Sequence, residues 1–132
     1  MCFSALVWLL TLGAIFYLQF GGAMIKRKVY IAGPMSGLPD CNRTAFNLAA
    51  DYLHALGRVV LNPASLPPGL TEPEYMQIGL SMMMCCDEIY LLDGWGQSFG
   101  ARAELALANK LDLKIIYQEG INHEVTLGMI SD

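Results

Sequence analysis

The hydrophobic pattern changes its period repeatedly from residue 28 onward. Short apolar runs closed by turn residues are typical of buried strands, and they predict strands over 29–32, 59–61, 89–92 and 113–117. The longer segments between them repeat their apolar residues at helical spacing, which predicts helices over 44–56, 71–84 and 99–111. The chain therefore alternates strand and helix throughout this region.

The helical segments also predict buried faces and a fold class. The face of the first helix comprises Phe46, Ala49, Ala50, Leu53 and Leu56. The face of the second comprises Tyr75, Ile78, Met82 and Cys85, and Thr71 is a good N-cap for that helix. Alternation at this spacing predicts an α/β fold: a doubly wound, flavodoxin-like parallel sheet of four to five strands with helices on both faces.

The composition of the chain limits the classes of partner that this domain is expected to bind. The 132 residues suffice for one domain, and the net charge of −4 comes without a basic stripe, so we expect a small-molecule partner and no nucleic acid. The four cysteines show no metal-ligand spacing, which favours free thiols in a reducing, cytoplasmic compartment and no bound metal.

The first 23 residues carry no charge and stand apart from the domain predicted over 24–132. One interpretation, which we prefer, is an over-extended start, because Met24 directly precedes the first strand and 21–23 could encode a ribosome-binding site. The other is a membrane anchor over 1–20, with the basic residues 26–28 keeping the domain in the cytoplasm.

Candidate functional residues lie in the loops that follow two of the predicted strands. The loops 33–42 and 93–100 should meet at the carboxyl edge of the sheet, where such folds bind ligands. Glycines in both loops allow the backbone to approach a ligand, and the helix after the second loop offers N–H groups to an anion. Neither a GxGxxG fingerprint nor a P-loop follows the first strand, which argues against a dinucleotide site, and we expect no cofactor.

Four residues near this edge have both a functional and an ordinary interpretation. Glu104 could act on a glycosidic carbon with Asp93 as a second acid, or it could be a solvated helix residue and Asp93 a turn cap. Trp95 could stack on a base or simply pack in its loop. Tyr30 could direct its hydroxyl to the sheet edge or belong to the core.

Three segments together resemble a known family. Residues 30–37 (YIAGPMSG), 61–63 (LNP) and 98–106 (SFGARAELA) resemble the nucleoside 2-deoxyribosyltransferase superfamily, and within it the small phage and bacterial proteins grouped as the domain of unknown function DUF4406. The resemblance implies that Glu104 is a nucleophile toward C1′ of a 2-deoxynucleoside, and that Tyr30 orients it. Asp93 would protonate or hold the leaving base, although its spacing from Glu104 is longer than in the transferases.

The resemblance also implies a binding surface and an oligomer. The implied substrate-binding residues are Gly33, Pro34, Met35, Ser36, Gly37, Arg43, Asn62, Trp95, Ser98 and Gly100. In the nucleotide-hydrolase branch, the residue matching Ser98 contacts a 5′-phosphate, but the Ser and Arg of that branch's first loop read Pro34 and Ser36 here. Members complete their pockets across subunits, which implies a homo-oligomer.

Two functions from different classes follow from these observations. The first is an enzyme that cleaves or transfers an N-glycosidic bond of a deoxynucleoside or deoxynucleotide through Glu104. The second is a non-catalytic nucleotide-binding module of phage or bacterial origin that keeps the pocket without turnover.

Overall fold

A computed structural model describes residues 25–119 of the chain. Its strands are β1 (Lys28–Ala32), β2 (Val59–Leu61), β3 (Glu88–Leu91) and β4 (Lys114–Tyr117). Its helices are α1 (Arg43–Ala55), α2 (Glu72–Met84) and α3 (Phe99–Lys110). Every predicted strand and helix is present, with bounds that shift by one residue at most. The predictions about residues 1–23 lie outside the described part of the chain.

The four strands form one parallel sheet in the order β2-β1-β3-β4. β1 pairs with both neighbours, with Tyr30 opposite Leu61 on one side and Ile89 on the other. Parallel neighbours require crossover connections, and α1, α2 and α3 each follow one strand and precede the next. The doubly wound, flavodoxin-like fold is therefore confirmed.

The sheet divides the core into two layers, and β1 supplies side chains to both. Val29 and Ile31 pack in the layer that contains Phe46 and Leu53 of α1. Tyr30 and Ala32 pack in the opposite layer with residues of α2, β3 and α3: Met83, Ile89, Leu91, Ala101 and Ala108. Because successive strand residues face opposite sides, Tyr30 is directed toward the layer in which α3 lies.

α2 begins where the sequence predicted, on a complete capping box. The Thr71 hydroxyl accepts from the backbone N–H of Glu74, and the Glu74 carboxylate accepts from the backbone N–H of Thr71. Such caps are worth about 1 kcal/mol. The cap fixes the first turn of α2, which also reaches the candidate site.

Two predicted helix faces need correction. Leu56 is 51% exposed because α1 ends at Ala55 and the chain turns away at Leu56. Cys85 is exposed, whereas Gly79, Met83 and Cys86 are buried. The side of α2 that faces the sheet is therefore the one that carries Gly79 and Met83. Within residues 25–119, no helix has the length and hydrophobicity of a membrane span.

Candidate active site

The carboxyl edge of the sheet holds a buried pair formed by Tyr30 and Glu104. Tyr30 comes from β1 and Glu104 from the second turn of α3, 74 positions later, and the Tyr30 hydroxyl donates to Glu104 Oε2 at 2.6 Å. Glu104 is 8% exposed and Tyr30 is 1% exposed. The structure thus places a carboxylate inside the domain with a neutral hydroxyl as its partner.

The surroundings of the pair change the acidity of both groups. Burial raises the pKa of Glu104 to about 7, and the hydrogen bond from Tyr30 opposes that rise. Burial, followed by the nearby Glu104 charge, raises the pKa of Tyr30 well above its usual range. The hydroxyl therefore stays protonated near neutral pH, while Glu104 exists in both protonation states.

Close packing of α2 encloses the pair. A Cβ atom on Gly79 would lie 2.7 Å from the Tyr30 hydroxyl oxygen and 3.3 Å from Glu104 Oε2. Glycine is therefore the residue that lets this helix pass directly against the hydroxyl–carboxylate contact. The sequence alone offers no signal for this role of Gly79, since the glycine lies inside a helix.

The pair lines a cavity of about 540 Å³, which is within the size range of small-molecule sites. The predicted residues that line it with Tyr30 and Glu104 are Gly33, Pro34, Met35, Ser36, Arg43, Ser98 and Gly100. Gly33 is needed because a Cβ there would lie 2.8 Å from Leu92 Cβ. The structure therefore brings both predicted loops to one cavity.

The start of α3 forms one wall of this cavity. Ser98 is the N-cap, and its hydroxyl accepts from the backbone N–H of Ala101 at 3.1 Å. Ser98, Gly100 and Ala101 all line the cavity. The cap fixes the first turn of the helix, and the next turn carries Glu104, so the same local geometry positions the wall and the carboxylate.

The loop after β1 makes a left-handed turn before α1. Asp40, Cys41 and Asn42 have φ angles of 49°, 51° and 57°. Asp and Asn tolerate this conformation better than other non-glycine residues, and the Asn42 amide donates to the Pro34 carbonyl at 2.9 Å. The turn delivers Arg43, the first residue of α1, to the cavity lining.

Four predicted site residues lie elsewhere. Asp93 is exposed and lines a second depression beside Leu92 and Gln118, not the cavity that holds Glu104. Trp95 packs on Tyr117 with ring centroids 5.9 Å apart. Asn62 caps a 3-10 turn by accepting from the Ala64 N–H, and Gly37 supplies a φ of 80° in the loop. None of the four lines the cavity of the pair.

Other cavity residues were not predicted as site residues. They include Glu72, Tyr75 and Met76 of α2, together with Cys41, Phe46, Pro63, Leu66, Gln97, Phe99 and Ala101. The proline-rich loop before α2 and the capping signal at Thr71 mark where this wall begins, but neither shows which loop the helix faces. Within residues 25–119, no group of His, Cys, Asp and Glu is arranged to hold a metal ion.

Comparison with known proteins places this domain in a family. The family model described as "Domain of unknown function (DUF4406)" matches residues 27–117, which is most of the chain. The chain belongs to the DUF4406 family. No curated protein matches it in sequence.

The DUF4406 match covers the whole sheet and all three helices. Tyr30, Glu104 and the residues that line their cavity all lie within the matched span of 27–117. The buried pair is therefore part of the DUF4406 domain itself.

Proposed function

We propose that this DUF4406 protein cleaves or transfers the N-glycosidic bond of a 2-deoxynucleoside or deoxynucleotide, with Glu104 as the nucleophile. The observation that carries the proposal is the Tyr30–Glu104 hydrogen bond in the wall of a cavity large enough for such a ligand. The resemblance of residues 30–37, 61–63 and 98–106 to the nucleoside 2-deoxyribosyltransferase superfamily supports the choice of substrate.

The chemistry follows from the two oxygens of Glu104. Oε2 accepts the hydrogen bond from Tyr30, and within residues 25–119 Oε1 has no hydrogen-bond partner. In the first step Oε1 attacks C1′, the C1′–N bond breaks, and the base departs with that electron pair and takes up a proton from solvent. In the second step water or another base attacks C1′ and loses a proton to solvent, and the ester bond breaks to regenerate the carboxylate.

Burial suits Glu104 to this role. A carboxylate whose pKa is raised to about 7 by desolvation is a stronger base and a better nucleophile when ionised than one in water. The Tyr30 hydroxyl stabilises the ionised form and fixes which oxygen is free. The active fraction of Glu104 rises as the pH increases through about 7.

The role that the resemblance gives to Asp93 stays a prediction. Its position in the second depression does not support contact with a base bound beside Glu104. An Asp93→Asn variant that keeps full turnover would place leaving-base protonation elsewhere.

Turnover assays on the purified protein test the proposal. We expect base release, or exchange when a second base is added, from at least one member of a panel of deoxynucleosides and their 5′-monophosphates. Glu104→Ala should abolish release while retaining binding. Ligand binding without release by the wild-type protein would favour the non-catalytic binding module instead.

A further inference from the structure

The rim of the cavity carries a second carboxylate, which is held in place by the loop after β1. Glu72, the first residue of α2, lines the cavity, and the Ser36 hydroxyl donates to Glu72 Oε2 at 2.9 Å. The contact joins two segments 36 positions apart in the sequence. Because Ser36 holds one oxygen, the other oxygen of this exposed carboxylate is available to accept from a ligand hydroxyl.

The cavity lining includes an arginine that already contacts three groups of the protein. Within residues 25–119, Arg43 is the one cationic side chain in the lining. Its guanidinium donates to the carbonyls of Ala64 and Leu66, and its Nε lies 3.6 Å from Asp40 Oδ1. Both hydrogen bonds come from Nη1, and the nearby Asp40 carboxylate offsets part of the charge, so an incoming anion would share this guanidinium with groups of the protein.

The lining carries two acidic side chains against this one cationic side chain. Glu72 stands at the rim and Glu104 in the wall, so a ligand phosphate would meet one or two carboxylates. Like charges at close range raise the free energy of a bound anion, whereas a hydroxyl can donate to the same oxygens. The lining therefore discriminates by charge.

We infer that Glu72, held by Ser36, is the specificity-determining residue of this cavity: it excludes ligands that carry a phosphate and selects uncharged ligands that carry hydroxyls. This inference rests on the proposed function and narrows its substrate class to the unphosphorylated deoxynucleoside. Glu72 acts on ligand selection and takes no part in bond cleavage.

Binding titrations of the full-length protein with two matched ligand pairs test the inference. The pairs are thymidine with its 5′-monophosphate, and 2′-deoxyadenosine with its 5′-monophosphate. We expect the wild-type protein to bind each nucleoside about tenfold more tightly than its monophosphate. Glu72→Gln should remove about tenfold of that preference by tightening the monophosphate, as expected for one nearby unit charge.

Salt dependence and two control variants distinguish an effect of the Glu72 charge from a change in the structure of the cavity. Because Glu72 is exposed, the effect of Glu72→Gln should shrink as salt rises from low to physiological concentration and above. Asp51→Asn removes the same charge from an exposed position on α1 outside the cavity lining and should leave the preference unchanged. Ser36→Ala keeps the charge and should weaken the preference only partly.

Each outcome bears on the inference. A wild-type protein that binds the monophosphates as tightly as the nucleosides would overturn it, as would an unchanged preference in Glu72→Gln. Either result would leave the proposed cleavage through Glu104 standing, because that rests on turnover. If neither class of ligand binds, both the inference and the proposed function fail.

Discussion

Within residues 25–119, two glutamates are buried at opposite edges of one sheet, and their surroundings differ. Glu88 begins β3 at the amino edge, is 1% exposed, and pairs with Arg58 at 2.9 Å and with Arg27 at 4.0 Å. Glu104 lies at the carboxyl edge, where within residues 25–119 it forms no salt bridge and its partner is the Tyr30 hydroxyl. The first carboxylate is compensated by charge, and the second is not.

The difference separates a charge-paired carboxylate from the carboxylate that we propose as the nucleophile. Glu88 contacts two arginines, which join the segments just before β1 and β2 to the start of β3. Burial raises the pKa of Glu104 to about 7, and among residues 25–119 its Oε1, beside the cavity, has no hydrogen-bond partner. Burial of an acid therefore points to function here only where compensation by charge is missing.

The largest predicted effect is on the compensated glutamate. Arg58→Ala removes the nearer cation from the Glu88 carboxylate, which is 1% exposed. This variant should lower the free energy of unfolding by about 3–5 kcal/mol. Denaturant unfolding at pH 7 measures the loss. A loss below 1 kcal/mol would show that Glu88 does not depend on this partner and would remove the contrast with Glu104.

Replacing the uncompensated glutamate should have the opposite effect on stability. The pKa of Glu104 is about 7 in the folded protein and 4.5 in the unfolded chain. The free energy of unfolding of the wild-type protein therefore falls as the pH rises between these two values. Glu104→Gln should therefore be more stable than wild type by about 3 kcal/mol at pH 8, with no difference below pH 4.5. Equal stability at pH 8 would contradict the raised pKa.

Removing the Tyr30 hydroxyl should shift the pH dependence of catalysis. The hydrogen bond lowers the pKa of Glu104, so Tyr30→Phe should move the rising limb of kcat/KM to higher pH and reduce the rate at pH 7 roughly 10–100-fold. Tyr75→Phe is the matched control, because Tyr75 lines the same cavity but its hydroxyl donates to the Pro67 carbonyl. The limb should stay in place in that variant.

The smallest effect is expected at the outer partner of Glu88. Arg27 is 63% exposed and 4.0 Å from the carboxylate, so Arg27→Ala should cost less than about 1 kcal/mol. Thermal unfolding of this variant beside Arg58→Ala ranks the two cations. A cost equal to that of Arg58→Ala would mean that the pair acts as one unit.

The fold could be predicted because its signals are local. Short apolar runs, turn residues and the Thr71 cap each act over a few positions, and together they determine the order of elements. The candidate site was harder to predict from the sequence. The Tyr30–Glu104 contact spans 74 positions and the Ser36–Glu72 contact spans 36, and no periodicity reports such pairings. The first was predicted only through a family resemblance, and the second was missed.

The alternation of strand residues does not continue to Asp93. Ile89 and Leu91 face the layer of α2 and α3, while Tyr90 and Leu92 face α1, so continued alternation would direct Asp93 toward Glu104. The chain instead turns at Gly94, which has a φ of 86°, and the Asp93 N–H donates to Gln118. The turn places Asp93 at the second depression.

The most direct test of Glu104 as nucleophile is capture of the glycosyl ester. Wild-type protein is mixed with a deoxynucleoside that it turns over, quenched in acid during the first turnover, and examined by intact-protein and peptide mass spectrometry. We expect a mass gain of one deoxyribosyl group on the peptide that contains Glu104, and none in Glu104→Gln. An adduct on another peptide, or base release by Glu104→Gln at the wild-type rate, would contradict it.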